Sequence, residues 1–168
     1  LRARYKFFIQ FAGASVLAFT GFTISTVSLP WSGAIINLGP IGYVFTIFWI
    51  AGISNAINFI DGMDGLSSGT SLIAALTFGI VFSILGNATS AMISFALFGA
   101  LVGFLFFNWP PAKIFMGDSG AIFIGFALGA LPFLEQSGSS SLLIVCLLIS
   151  VVLFPVLDTF ASMIRRTR

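Results

Sequence analysis

The stretch 55–66, NAINFIDGMDGL, places Asn55, Asn58, Asp61 and Asp64 at intervals of three. Two carboxylates and two carboxamides are hard oxygen donors, the chemistry suited to Mg²⁺ and to phosphate groups held through it. If a helix runs to Ile60, Asn55 and Asn58 share a face that leads toward Asp61. Gly62 and Gly65 then loosen the backbone and put Asp64 on a turn. In a soluble loop the same letters would read as an ordinary Asp-Gly turn capped by asparagines. Here only five of 168 residues are acidic, and unpaired amides at the end of an apolar run are costly. That scarcity favours a functional cluster. The D-x-D-x-D-G spacing of a calcium EF-hand is missing.

A second stretch, NWPPAKIFMGDSGA at 108–121, carries the complementary groups. Pro110 and Pro111 end the preceding helix, and Gly117, Ser119 and Gly120 leave the backbone around Asp118 open to a close-approaching ligand. A helix starting just after Asp118 would add free amides for an anion. Lys113 together with a metal on Asp118 would neutralise a phosphate, and Phe115 offers a face on which a planar base could stack. Each residue also has a plainer reading: Asp118 as a helix N-cap, Lys113 as a topology signal, Phe115 as an interfacial anchor. Only their convergence with the first stretch on one face describes a metal-and-phosphate site. Asp158, in FPVLDTF, reads as a structural partner of a nearby arginine, with an outer position in the site as the alternative.

The elements that must position these residues are membrane helices. The chain is 58% hydrophobic and 7% charged, with a mean hydropathy of +1.13, whereas soluble domains carry roughly a quarter charged residues. Long continuous apolar runs favour an all-α polytopic bundle over a barrel, whose strands would alternate. A crossing helix needs about 20 apolar residues, and six runs qualify: 7–25, 41–60, 67–85, 91–109, 121–134 and 142–164. The fifth is short and could begin near Gly117. The sixth contains Pro155 and Asp158, which predict a kink or an early exit at its inner end. Residues 27–40 read equally as a small interfacial hairpin or a plain loop. Gly99 with Gly103, and Gly125 with Gly129, have the GxxxG spacing of close helix packing.

Six spans put all seven basic residues on one face: Arg2, Arg4 and Lys6, then Lys113, then Arg165, Arg166 and Arg168. The positive-inside rule makes that face cytoplasmic. Asp61, Asp64 and Asp118 fall on it too, and Glu135 alone faces outward. Histidine is absent from the chain, so no imidazole within it can bind metal or act as a base. Cys146 has no partner for an internal disulfide and reads as a packing residue. An ion-coupled transporter would carry acids near mid-span and broken helices in related halves. Here the acids gather at one rim and no repeat is visible, so a transporter subunit is the weaker reading.

The paired stretches NAINFIDGMDGLSSG and PPAKIFMGDSGAIFIG, with RYKFFIQ near the start and FPVLDTFASMIRR near the end, resemble the polyprenyl-phosphate N-acetylhexosamine-1-phosphate transferases. The likeness is of the glycosyltransferase family 4 type and covers essentially the whole chain. Its wording is closer to the bacterial UDP-GlcNAc:undecaprenyl-phosphate branch than to the phospho-MurNAc-pentapeptide translocases. The resemblance implies Mg²⁺-dependent transfer of a sugar-1-phosphate (Mn²⁺ could substitute) from a UDP-N-acetylhexosamine to undecaprenyl phosphate. UMP would be released, and the product would initiate a cell-envelope glycan. It further implies a multi-pass protein of the bacterial inner membrane, with its site on the cytoplasmic face, no nucleic-acid partner, and a homodimer as one open arrangement. By similarity Asp118 is the foremost metal ligand, with Asn58 and Asp61 near metal and nucleotide and Asp64 completing that motif. Phe115 resembles the aromatic that stacks on uracil, and Lys6 a basic residue facing the phosphates. Full members have about ten or eleven spans, an acidic pair upstream and a histidine-rich loop downstream. The expectation is therefore that residues 1–168 form a single transmembrane domain, the central fragment of a larger transferase and inactive alone.

Overall fold

The computed structural model describes residues 3–28 and 34–134. Within them five helices alternate with short connections: α1 (Ala3–Phe19), α2 (Pro40–Ile60), α3 (Leu66–Ile84), α4 (Ala88–Asn108) and α5 (Gly117–Ala130), the last continued by a 3₁₀ turn, Leu131–Leu134. Two three-residue strands, β1 (Thr26–Ser28) and β2 (Ile35–Asn37), pair antiparallel with Val27 opposite Ile36. The segment between α1 and α2 is thus a hairpin and not a plain loop.

The helix ends follow local chemistry. Pro40 opens α2 in the first-turn position where its missing N–H costs nothing. Asn87 caps α4 by accepting from Ser90 N at 3.0 Å, and α4 stops where Trp109 turns extended ahead of Pro110. The terminus of α1 comes sooner than hydropathy suggests. The Thr20 hydroxyl bonds back to Val16 O and Leu17 O at 3.1 and 2.9 Å, and the chain then breaks at Gly21.

Six crossings were expected, and the described residues bear on five of them. Four helical segments among the described residues are long and apolar enough to span: Pro40–Ile60, Leu66–Ile84, Ala88–Asn108 and Gly117–Leu134. The first expected span, 7–25, is α1, only 17 residues long, or about 25 Å at 1.5 Å per residue, short of a typical hydrocarbon core. The sixth, 142–164, lies outside the described residues, as do Glu135, Cys146, Asp158 and the terminal arginines. The fifth does begin at Gly117.

Helix α2 packs between α1 and α5, and α3 packs on α4. Ile53, Ile57, Phe78, Phe82, Leu101 and Leu128 form the main core, while Ala14, Ile24, Ile50 and Phe133 form a smaller one beneath the hairpin. The two GxxxG pairs separate here. A Cβ on Gly125 would lie 2.7 Å from Ser54 Cα, and one on Gly129 3.3 Å from Ile50 Cα, so this pair is what lets α5 close on α2. Gly99 and Gly103 meet nothing within 4 Å, so their expected packing role has no counterpart among the described residues.

Candidate functional site

Five helix ends meet at one end of the bundle: the starts of α1, α3 and α5 and the finishes of α2 and α4. The end of α2 delivers Asp61 as its C-cap residue. The start of α5 delivers Asp118 in its first turn, after Gly117 has turned the chain at a φ of 67°, a conformation that suits glycine. The first turns of α1 deliver Lys6. Its ammonium pairs with Asp118 Oδ2 across 112 residues of sequence. Lys6 is largely covered, whereas the Asp118 side chain remains 61% exposed, open to a ligand.

Asp61 and Asp118 share this corner. Burial pushes the Asp61 carboxyl above its ordinary value; the Ser67 hydroxyl opposes that, the Asp118 carboxylate adds repulsion, and the Gly117 backbone N–H again favours the charged form. The Ser67 proton has two acceptors to choose from, Met116 Sδ at 3.7 Å and the Asp61 carboxylate, and the charged oxygen is the stronger one. The Asp118 carboxylate raises the cost of ionising Asp61, whereas the Lys6 ammonium holds the Asp118 carboxyl below its ordinary value; a divalent cation at this corner would relieve the repulsion on Asp61.

Asn108 ties the two acidic loops together. At 4% exposure it accepts from Gly65 N at 3.1 Å and Ser68 Oγ at 2.7 Å, and donates to Ile114 O at 2.9 Å. One carboxamide therefore holds the turn after Asp64 against the segment leading to Phe115. Asp64 adds a second tie, Oδ2 accepting from Ala112 N at 3.0 Å. At least one of its oxygens thus organises the loop.

The remaining predicted residues are placed less centrally. Asn55 donates to Gln10 Oε1 and to Ala51 O, both at 2.7 Å, and touches neither carboxylate through a hydrogen bond. Asn58 is half-buried at the end of α2 and has no hydrogen bond to Asp61 or Asp118 among the described residues. Phe115 is 73% exposed, as a stacking platform must be. Lys113 is exposed, and its backbone N–H donates to Phe107 O at 2.8 Å. Ser67, Ser68, Asn108 and Gln10 were not singled out from the sequence. For Asn108 a signal existed: a carboxamide closing a 21-residue apolar helix must find partners.

The donor set fits a small hard cation. Among the described residues no three acidic, imidazole or thiolate groups cluster, but Mg²⁺ commonly takes only one or two carboxylates and fills its shell with water and substrate phosphates. Asp118 and Asp61 offer carboxylate oxygens, the Asn58 carboxamide has a further oxygen to offer, and Lys6 already sets positive charge on Asp118.

Comparison with known proteins gives this corner a context. The chain is 37% identical over 166 residues to a probable undecaprenyl-phosphate N-acetylglucosaminyl 1-phosphate transferase of Bacillus subtilis, covering 99% of the chain and 46% of that protein. It is 39% identical over 138 residues to a phospho-N-acetylmuramoyl-pentapeptide-transferase of Listeria innocua, 80% of the chain and 42% of the relative. A Streptococcus pyogenes protein of the latter kind is 36% identical over 132 residues, 78% of the chain and 39% of the relative. The chain thus spans less than half the length of these relatives. The profile of glycosyl transferase family 4 matches residues 1–136, a range that contains every residue of the corner described above, and the chain belongs to that family.

Proposed function

We propose that the protein containing these residues transfers N-acetylhexosamine-1-phosphate, GlcNAc-1-phosphate in the first instance, from a UDP-sugar to undecaprenyl phosphate. UMP would be released and a cell-envelope glycan begun. The observation that carries this reading is the meeting of Lys6, Asp61 and Asp118 at the mouth of an apolar bundle. There a lipid phosphate held in the membrane and a nucleotide sugar from the cytosol can reach one another. The relatives are more than twice as long as the chain, and in this reading residues 1–168 are one part of such a transferase. Residues beyond these would complete the site.

In this reading an oxygen of the lipid phosphate attacks the β-phosphorus of the UDP-sugar. The bond from that phosphorus to the bridging oxygen breaks, and the oxygen leaves with UMP. Two anions must approach, so positive charge is the first requirement. Lys6 supplies part of it at Asp118. Asp118, with Asn58 and Asp61, would hold Mg²⁺, which when bound neutralises the diphosphate and stabilises the leaving phosphate. Lys113 faces the solvent side of the nucleotide's phosphates, and Phe115 stacks on the uracil. The acceptor phosphate is already ionised near neutral pH, so a general base is dispensable and attack is direct. Asp64 and Asn108 keep the two loops in register.

Asp118→Asn in the full-length protein tests this. Radiolabel passing from UDP-GlcNAc into lipid extract of isolated membranes should fall to background while membrane insertion is unchanged; normal turnover would remove Asp118 from the site. The same assay with UDP-MurNAc-pentapeptide separates the two branches represented among the relatives.

A further inference from the structure

Gln10 lies on α1 one turn beyond Lys6 and is almost completely buried, at 2% exposure. It is the last residue of the RYKFFIQ stretch. Its amide oxygen accepts from Asn55 Nδ2 at 2.7 Å, and the same nitrogen donates to Ala51 O at 2.7 Å. A backbone carbonyl can only accept, so the nitrogen of Asn55 has to lie on that side. With both amide hydrogens committed, Oδ1 is the one polar atom of the Asn55 side chain left for another partner. The orientation of Gln10 follows in turn. Its oxygen faces Asn55, and Nε2 is turned away, buried and with no hydrogen-bond partner.

An unpaired buried donor costs about 1–3 kcal/mol, and a rotation of the Gln10 amide would not remove the cost. It would set two donors against each other at the Asn55 contact. The chain therefore tolerates an orphan NH2 group while Asn55 keeps a single orientation, with Oδ1 left out of both contacts. Asn55 stands three residues before Asn58 and six before Asp61 on the same helix, and Gln10 stands four after Lys6. The two amides link α1, which carries Lys6, to α2, which carries Asn58 and ends at Asp61.

We propose that Gln10 is a positioning residue of the transfer site, locking the Asn55 carboxamide so that its oxygen is presented to the bound UDP-sugar. This rests on the transferase reading above. Gln10→Leu removes the lock, whereas Gln10→Glu keeps an oxygen to accept from Asn55; protonated, it also leaves a hydroxyl donor where the amide NH2 stood.

The test uses membranes carrying the full-length protein at matched abundance, with UDP-GlcNAc as the probe. Gln10→Leu should raise the KM for UDP-GlcNAc about tenfold, the worth of one hydrogen bond, with kcat little changed. Gln10→Glu should stay near wild type, and Gln10→Leu should add nothing in an Asn55→Ala background. A wild-type KM in Gln10→Leu, equal damage from Glu and Leu, or a full additional loss in the Asn55→Ala background would overturn the proposal. If Gln10→Leu fails to insert, Gln10→Met, close in length and without an oxygen to accept from Asn55, tests the same contact. A wild-type KM in that variant would overturn the lock. Failure of the wild-type protein to transfer label from any UDP-sugar would overturn the transferase reading and this inference together.

Discussion

Asp61 is the residue at which charge and burial conflict most directly. Its carboxyl is held above the ordinary value chiefly by burial, with the Ser67 hydroxyl working against that shift. If transfer requires Asp61 ionised, activity falls as pH drops through this raised value. Ser67→Ala removes a donor that favours the charged form, so the value rises further. The acid limb of kcat/KM against pH should then move to higher pH, and the profile of isolated membranes checks it. An unmoved limb would mean that Ser67 serves Met116 alone. The motif types of Asp61, Asp64 and Asp118 were legible in sequence because carboxylates are rare in this chain. Their division of labour was not. Asp64 accepts from a backbone N–H 48 residues away, and no local pattern encodes such a pairing.

At the level of elements, the site depends on how α4 and α5 are tied to their neighbours. Asn108 alone satisfies Gly65 N, Ser68 Oγ and Ile114 O. Asn108→Ala should cost about 1–3 kcal/mol from the groups left unpaired. It should lower the unfolding temperature of detergent-solubilised protein and raise the KM for the UDP-sugar as the loops separate. Gly125 is the complementary case, a packing position with no chemistry. A side chain there drives into the α2 backbone at Ser54, so Gly125→Leu should destabilise by about 1–3 kcal/mol or more. Gly99→Leu, which meets nothing within 4 Å, should change little by the same thermal assay. The two GxxxG pairs share the same spacing. The packing partner distinguishes them.

For the whole molecule, the distribution of charge is the telling feature. Among the described residues, Arg4, Lys6 and Lys113 lie at the end that also holds Asp61, Asp64 and Asp118, while the hairpin of β1 and β2 lies at the other end. The positive-inside rule then predicts a cytoplasmic site. Lys113→Cys, in a full-length background cleared of all other cysteines, should react with a membrane-impermeant maleimide in inverted vesicles and be protected in intact cells. Reaction in intact cells would reverse the orientation and separate the site from cytosolic nucleotide sugars. The short α1 belongs to this scale as well. Its 17 residues end in a threonine back-bond and a glycine turn, features that a hydropathy average passes over.

The sequence by itself determined that this chain is built of membrane helices, roughly where α2 to α5 begin and end, and which two loops bear oxygen-rich motifs. Those properties are local: hydropathy over about 20 residues, and the backbone limits of proline and glycine. Only the tertiary structure decided that Lys6 meets Asp118, that Asn108 joins the two loops, and that Gln10 faces Asn55. Each of these pairs unites residues at least 40 positions apart. A buried polar atom must find a partner, but which one it finds is set by the helix faces that packing brings together.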